Sequence, residues 1–150
     1  MDNLVIKVAN FSLDFSAIQQ IRYLVFQLEQ GVSADLEFDG QDEASDHLLA
    51  YLDGQPVGTT RIRRLDSLTA KVERVAVIRA ARGSGIGKRL MVAAIAFLQE
   101  ANVAEVQIHA QEAVRDFYQR LGFEPEGEIF VEAGIPHVKM KKLLMSQTGR

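Results

Sequence analysis

The chain contains no cysteine among its 150 residues. Disulfides, thiolate metal ligands and a cysteine nucleophile are thereby excluded. No apolar run approaches the length needed to span a bilayer. The opening residues Met1-Asp2-Asn3-Leu4 lack the basic-then-apolar pattern of a secretory signal, so a cytoplasmic location without a membrane partner is expected. A basic excess is also missing: 17 Lys and Arg stand against 20 Asp and Glu, a formal net charge of −3. Nonspecific nucleic-acid binding is therefore disfavoured. The cations Arg61, Arg63, Arg64, Arg79, Arg82, Lys88 and Arg89 also have no interleaved aromatics of the base-stacking kind. His47, His109 and His137 show no metal-ligand spacing, and no metal is expected.

What is present reads as an ordinary globular composition, 47% apolar and 25% charged. Without repeats, low-complexity tracts or linkers, residues 1–150 are expected to form one domain with a substantial core. Leu4 to Val8 reads as a first strand. A helix is predicted from about Asp14 to Glu29, with Ser16 and Gln19 as a capping box and Ile18, Ile21, Val25 and Leu28 on one face. Gly31 stops it. The acidic stretch 31–43 has no clear periodicity and reads as a solvated loop, or as a cleft rim favouring a cationic substrate. His47–Leu52 and Val57–Arg63 flank an Asp53-Gly54 hairpin turn, and Thr69–Ile78 continues the meander. A well-buried helix is predicted over Gly85–Ala101. Then follow a strand at Val103–His109, a helix at Glu112–Leu121 and a final hairpin, Gly127–Glu132 with His137–Lys142 around an Ala133-Gly134-Ile135-Pro136 turn. The tail Ser146–Arg150 is expected to fray.

The most informative stretch is Glu73 to Leu90, a strand, a basic turn and glycines opening a helix. Free N–H groups and the positive dipole end make such a start a phosphate site. Spacing separates the candidates. In a Walker loop Arg82 would occupy the first glycine's place and Arg89 the hydroxyl's. In a dinucleotide fingerprint the third glycine falls on Lys88 or Leu90. Both patterns fail. What fits is Arg-x-x-Gly-x-Gly, filled by Arg82, Gly85 and Gly87 with Gly83 as a further small residue. A turn that merely needs small residues would look the same on its own.

With this turn the sequence resembles the GNAT superfamily of N-acetyltransferases. Arg74-Val75-Ala76-Val77 looks like the family strand that pairs with the pantetheine arm, and Phe117-Tyr118-Gln119-Arg120-Leu121-Gly122-Phe123 like its later tyrosine segment. The likeness runs from about Thr69 to Lys142, and Glu29-Gln30-Gly31-Val32 looks like a bacterial subgroup of small members. Gln111 departs from the Asn common in the family, and Ser33 from the subgroup's Pro. The resemblance implies an α+β single-domain fold, a mixed, mostly antiparallel sheet of about seven strands flanked by about four helices. It implies acetyl-CoA as co-substrate, held by Val75, Ala76, Val77, Arg82, Gly83, Ser84, Gly85, Ile86, Gly87, Lys88, Gln111, Phe117 and Tyr118. The implied activity is transfer of the acetyl group to a primary amine, on a small molecule or a peptide, by direct attack in a ternary complex. A non-catalytic acyl-CoA-binding sensor or interaction module is the alternative, and a homodimer stays open.

Acetyl transfer to an amine needs a base for the ammonium proton, an N–H for the oxyanion and help for the departing thiolate. Glu73, at the start of the cofactor strand, is one candidate base, directly or through a water, although a strand residue paired with Lys71 or Arg61 is the plainer reading. His109, ending the next strand, is the other, against a structural histidine. Tyr118 would be a core aromatic by its period, and the resemblance implies a general acid at the CoA sulfur. Val75 or Val77 would supply the oxyanion N–H.

Overall fold

A computed structural model of the chain describes residues 3–144. The expected fraying of Ser146–Arg150 lies outside them. Strand β1 (Leu4–Val8) leads into helix α1 (Phe11–Arg22), whose winding continues as a π-helical segment, Tyr23–Glu29. A short helix α2 (Ala34–Glu37) precedes the meander β2 (Asp46–Leu52), β3 (Gln55–Arg64) and β4 (Thr69–Val77). Then come α3 (Ile86–Glu100), β5 (Glu105–Gln111), a 3-10 turn at Glu112–Val114, α4 (Arg115–Arg120) and the hairpin of β6 (Glu124–Glu132) and β7 (Ile135–Leu143). The strands form one seven-stranded sheet in the order β1-β2-β3-β4-β5-β7-β6. All neighbours are antiparallel except β4 and β5.

Both faces of the sheet are covered, which explains why Leu48, Leu49 and Ala50 are all buried in succession. Leu48 and Ala50 join the α3 core with Leu90, Ala94, Leu98, Val106 and Met140, whereas Leu49 and Ala76 pack under Ile18, Ile21 and Val25 of the first helix. α3 lies very close to the sheet at Gly58, where an added Cβ would come within 3.0 Å of Leu90 and 3.2 Å of the Ala76 carbonyl. The Asp53-Gly54 hairpin turn forms as expected, with φ of 51° and 84°.

Three expectations are corrected. The first helix begins at Phe11, because Asn10 is its N-cap and its side chain accepts from the Leu13 N–H at 3.2 Å; Ser16 and Gln19 lie inside the helix. Ile18, Ile21 and Val25 are buried, but Leu28 is 64% exposed. The wider π-helical winding from Tyr23 carries it off that face. Finally, the stretch 31–43 contains α2, with Ser33 as N-cap, and two of its acids, Glu37 and Asp42, are buried.

Candidate active site

The parallel pairing of β4 with β5 lasts only from Thr69↔Glu105 to Lys71↔Gln107. Beyond it β4 stays bonded to β3 and β5 to β7, so their facing edges part and leave free backbone groups along both. A cleft of about 590 Å³ occupies this opening, and of the expected site residues it is lined by Glu73, Val75, Ala76, Val77, Arg82, His109, Gln111 and Tyr118. On the β3 side the ladder skips Arg74 and Val75 between Glu73 and Ala76, a β-bulge. Arg74 has φ of +54°, rare for a side chain of its size and costing on the order of 1–3 kcal/mol. The strain sits where the strand re-aims its peptide groups, beside the free edge.

The glycine turn is placed differently. Gly83 and Gly85 have φ of 89° and 82°, and Gly85 is the N-cap of α3 with no side chain closing the helix start. Ser84, Gly85 and Lys88 border a separate groove, lined also by Ile6 of β1. Ile86 is buried in the core, so only its backbone faces the turn. Phe117 stands edge-on to Tyr118 with ring centroids 4.9 Å apart, and its ring lies 3.9 Å from where a Cβ on Gly87 would be. α4 thus touches the first turn of α3, and the tyrosine segment and the glycine turn are neighbours.

Glu29 and Gln30, at the end of the first helix, reach the two sides of the cleft. Arg82 donates to Glu29 from Nη1 at 2.6 Å and from Nη2 at 2.5 Å, and to the Val77 carbonyl from Nε at 2.9 Å. These bonds, with Arg79 behind them, hold the Glu29 carboxyl down to about 2. Gln111 donates to Gln30 at 3.1 Å from the other side.

Deep in the cleft is a buried charge cluster that the sequence did not reveal. Arg22, fully buried, donates to Glu37 at 2.6 Å and to Asp42 at 2.7 Å. Arg61, 1% exposed, donates to Asp39 at 2.8 Å, Asp42 at 3.0 Å and Glu73 at 2.7 Å. Glu73 also receives Arg63 at 3.1 Å and Lys71 at 3.3 Å. Burial by itself would raise the Glu73 carboxyl, but the Arg63 hydrogen bond and the Arg61 and Lys71 charges leave it below the usual carboxylate range. That is the wrong direction for a base working near neutral pH. Arg74 reaches the Leu36 and Glu37 carbonyls and Asp39 through Nη2, at 3.2 to 3.3 Å, while its buried Nε makes no hydrogen bond among the described residues. Glu37, Asp39 and Asp42 are therefore committed to arginines, and do not form a rim for a cation.

On the opposite wall His109 Nδ1 lies 2.9 Å from Glu132 Oε1. A carboxylate at that distance favours the tautomer with the proton on Nδ1, in which Nε2 would hold the lone pair, whereas Lys71 Nζ, 3.3 Å from the same nitrogen, favours the other. Glu132 was missed from sequence: the Ala133-Gly134 turn fixes β6 against β7, but nothing local shows that β7 pairs with β5. Tyr118, on the cleft wall, makes no hydrogen bond through its hydroxyl among the described residues, and burial pushes its phenol up to about 12. His47 stands apart, packed on Phe11 and Phe15 with Nε2 2.8 Å from the Asp42 carbonyl. Among the described residues no helix is long and apolar enough to cross a membrane.

Residues 19–144 match the model of the acetyltransferase (GNAT) domain family. The chain is 37% identical over 140 residues to YyaT of Bacillus subtilis (strain 168), covering 91% of this chain and 94% of that one. Among solved structures, an acyl-CoA N-acyltransferase from Pseudomonas aeruginosa superposes with a TM-score of 0.81 at 28% identity, over 95% of this chain and 99% of that one. A GNAT family acetyltransferase from Elizabethkingia anophelis, solved with acetyl-CoA bound, shares the fold with a TM-score of 0.75 at 19% identity, over 96% and 100% of the two chains. The parted strands and the glycine turn thus have their counterpart in a known family: this chain belongs to the GNAT acetyltransferases and is an acyltransferase.

Proposed function

We propose that the chain transfers the acetyl group of acetyl-CoA to a primary amine by direct attack in a ternary complex. The observation that carries this reading is the unpaired edge of β4, which runs along the cleft towards a helix start left uncapped at Gly85. An extended pantetheine arm with its amides suits such an edge, and a pyrophosphate suits free N–H groups at a helix N-terminus. Arg82, Gly83, Ser84, Gly85, Ile86, Gly87 and Lys88 would hold the pyrophosphate, and Val75, Ala76, Val77, Gln111 and Phe117 would flank the arm. That acetyl-CoA was found bound to the Elizabethkingia anophelis protein of the same fold supports the choice of donor.

In the step, the amine nitrogen bonds to the carbonyl carbon, its surplus proton leaves, and the carbon–sulfur bond breaks to release CoA. His109 takes the proton at Nε2, with Glu132 holding Nδ1 and balancing the imidazolium charge. Glu73 instead anchors the cations around it. A backbone N–H of Val75 or Val77, beside the bulge, receives the oxyanion. Tyr118 faces the thiolate. A phenol at about 12 does not surrender its proton outright to a thiolate whose thiol titrates near ~8.5, so its part is a hydrogen bond that stabilises the leaving sulfur. Isothermal titration with acetyl-CoA, together with CoA release across a panel of primary amines, tests the whole. No binding at millimolar acetyl-CoA, or tight binding with no thiol release from any amine, overturns it.

A further inference from the structure

We propose that the acceptor end of the cleft recognises an anionic group, a carboxylate or phosphate carried by the acceptor a short spacer away from its amine, through Arg63 and Lys71. The inference rests on the reading of the cleft as an amine acetylation site and adds the acceptor's chemical class. Three observations converge on it.

The first is the charge count. Arg22, Arg61, Arg63, Lys71 and Arg74 share only Glu37, Asp39, Asp42 and Glu73, so the cluster holds one cation more than it has carboxylates. Arg22 and Arg61 are sealed inside and satisfied by these acids. The surplus therefore falls on the outer members.

The second is donor capacity. Arg63 and Lys71 are cross-strand partners on β3 and β4, both line the cleft, and both lean on Glu73, which Arg61 already engages. Arg63 is bonded through Nε at 3.1 Å and only weakly through Nη2 at 3.4 Å, with its side chain 30% exposed. Lys71 Nζ lies 3.3 Å from Glu73 Oε1 and 3.3 Å from His109 Nδ1, and these two contacts leave at least one of its three N–H groups over. Donors on both side chains are left for a ligand, and guanidinium and ammonium groups pair best with carboxylate or phosphate oxygens. Glu132 is a further carboxylate of the cleft, on the far wall and turned to His109, so the excess of cations is confined to the Arg63 and Lys71 side.

The third is reach. Lys71 stands beside the His109 ring, so an anion seated on Arg63 and Lys71 brings an amine a few bonds away to Nε2. A diamine would set its second cation against the surplus charge.

The test titrates four near-isosteric ligands by calorimetry, with and without saturating CoA: γ-aminobutyrate, its carboxamide, 3-aminopropylphosphonate and putrescine. At least one anionic ligand is expected to bind about tenfold or more tighter than the carboxamide, the size of one charge-assisted hydrogen bond, with putrescine weakest. The ratio of carboxylate to phosphonate affinity names the group. Arg63→Gln and Lys71→Gln should each bring the preferred anion to within about threefold of the carboxamide while leaving acetyl-CoA affinity unchanged. Equal binding of anion and amide, tighter binding of putrescine, or no binding of any of the four overturns the proposal. The readout needs no turnover, so its failure leaves the acetyl-CoA titration standing. Failure of the acetylation reading would appear in that separate titration.

Discussion

Glu132 of β6 and His109 of β5 meet at 2.9 Å although β7 lies between their strands in the sheet. Only the reach of a long carboxylate from the hairpin end makes the contact, so its purpose is sought in the imidazole it orients. His109→Gln should lower kcat by about 100-fold or more, the usual value of a positioned base. Glu132→Gln should lower it about tenfold through loss of orientation alone, with acetyl-CoA affinity unchanged in both. Steady-state kinetics beside calorimetry checks this, and full activity in His109→Gln would return the role of base to Glu73 or a water.

Tyr118→Phe keeps the ring that packs edge-on to Phe117 and Phe123 and removes only the hydroxyl. Turnover should fall at least about tenfold, the loss of one hydrogen bond to a charged sulfur, with KM for acetyl-CoA nearly constant. An unchanged kcat would take Tyr118 out of the chemistry.

Arg82 is bonded on two nitrogens by Glu29. A pyrophosphate near the turn must either share Arg82 with this carboxylate or displace it. Glu29→Gln removes the competing charge, and acetyl-CoA should bind severalfold tighter, an effect that added salt diminishes. Weaker binding in the variant would mean instead that Glu29 holds Arg82 in its working position.

Asp39, Asp42 and Glu73 all hold their carboxyls below the ordinary range, chiefly through Arg61 with Arg22 and Arg63, against the opposing effect of burial. A depressed carboxyl stabilises the fold fully above its unfolded value, near ~4, and loses that contribution as pH falls through its folded value. Urea midpoints should drop steeply below about pH 4, after a smaller decline that starts below pH 6.5 because burial holds the His47 imidazole below its ordinary value. At neutral pH Arg22→Ala, which takes the buried guanidinium from both Glu37 and Asp42 and leaves them Arg74 at 3.6 Å and Arg61 at 3.0 Å, should cost about 3–5 kcal/mol.

The parts of this protein that local chemistry dictates were legible in its sequence. Asp53-Gly54 and Ala133-Gly134 set their hairpins, the apolar stripe of α3 announced a buried helix, and the pattern at Arg82, Gly85 and Gly87 with the Tyr118 segment carried the resemblance to the family. What escaped depends on partners distant in the chain. Arg22 lies inside the core only because Glu37 and Asp42 fold back over it. Leu28 is exposed because the helix changes its winding at Tyr23, which no side-chain period records. The three cations on Glu73 could not all be foreseen: Lys71 and Arg61 were visible as strand neighbours, but Arg63 reaches it diagonally.

The short parallel seam between β4 and β5 also bears on how the molecule opens. On one side, β1 to β4 close by hairpins and a helix packed on the same strands; on the other, β5, β7 and β6 do the same around α4. The ladder between the two sides is the shortest in the sheet, three pairs, and apart from it the α3 core joins them. The cleft follows this thin seam, the line along which the fewest ladder hydrogen bonds resist opening. A donor spanning both lips would act as a staple across that line, raising the resistance of both sides to unfolding at once.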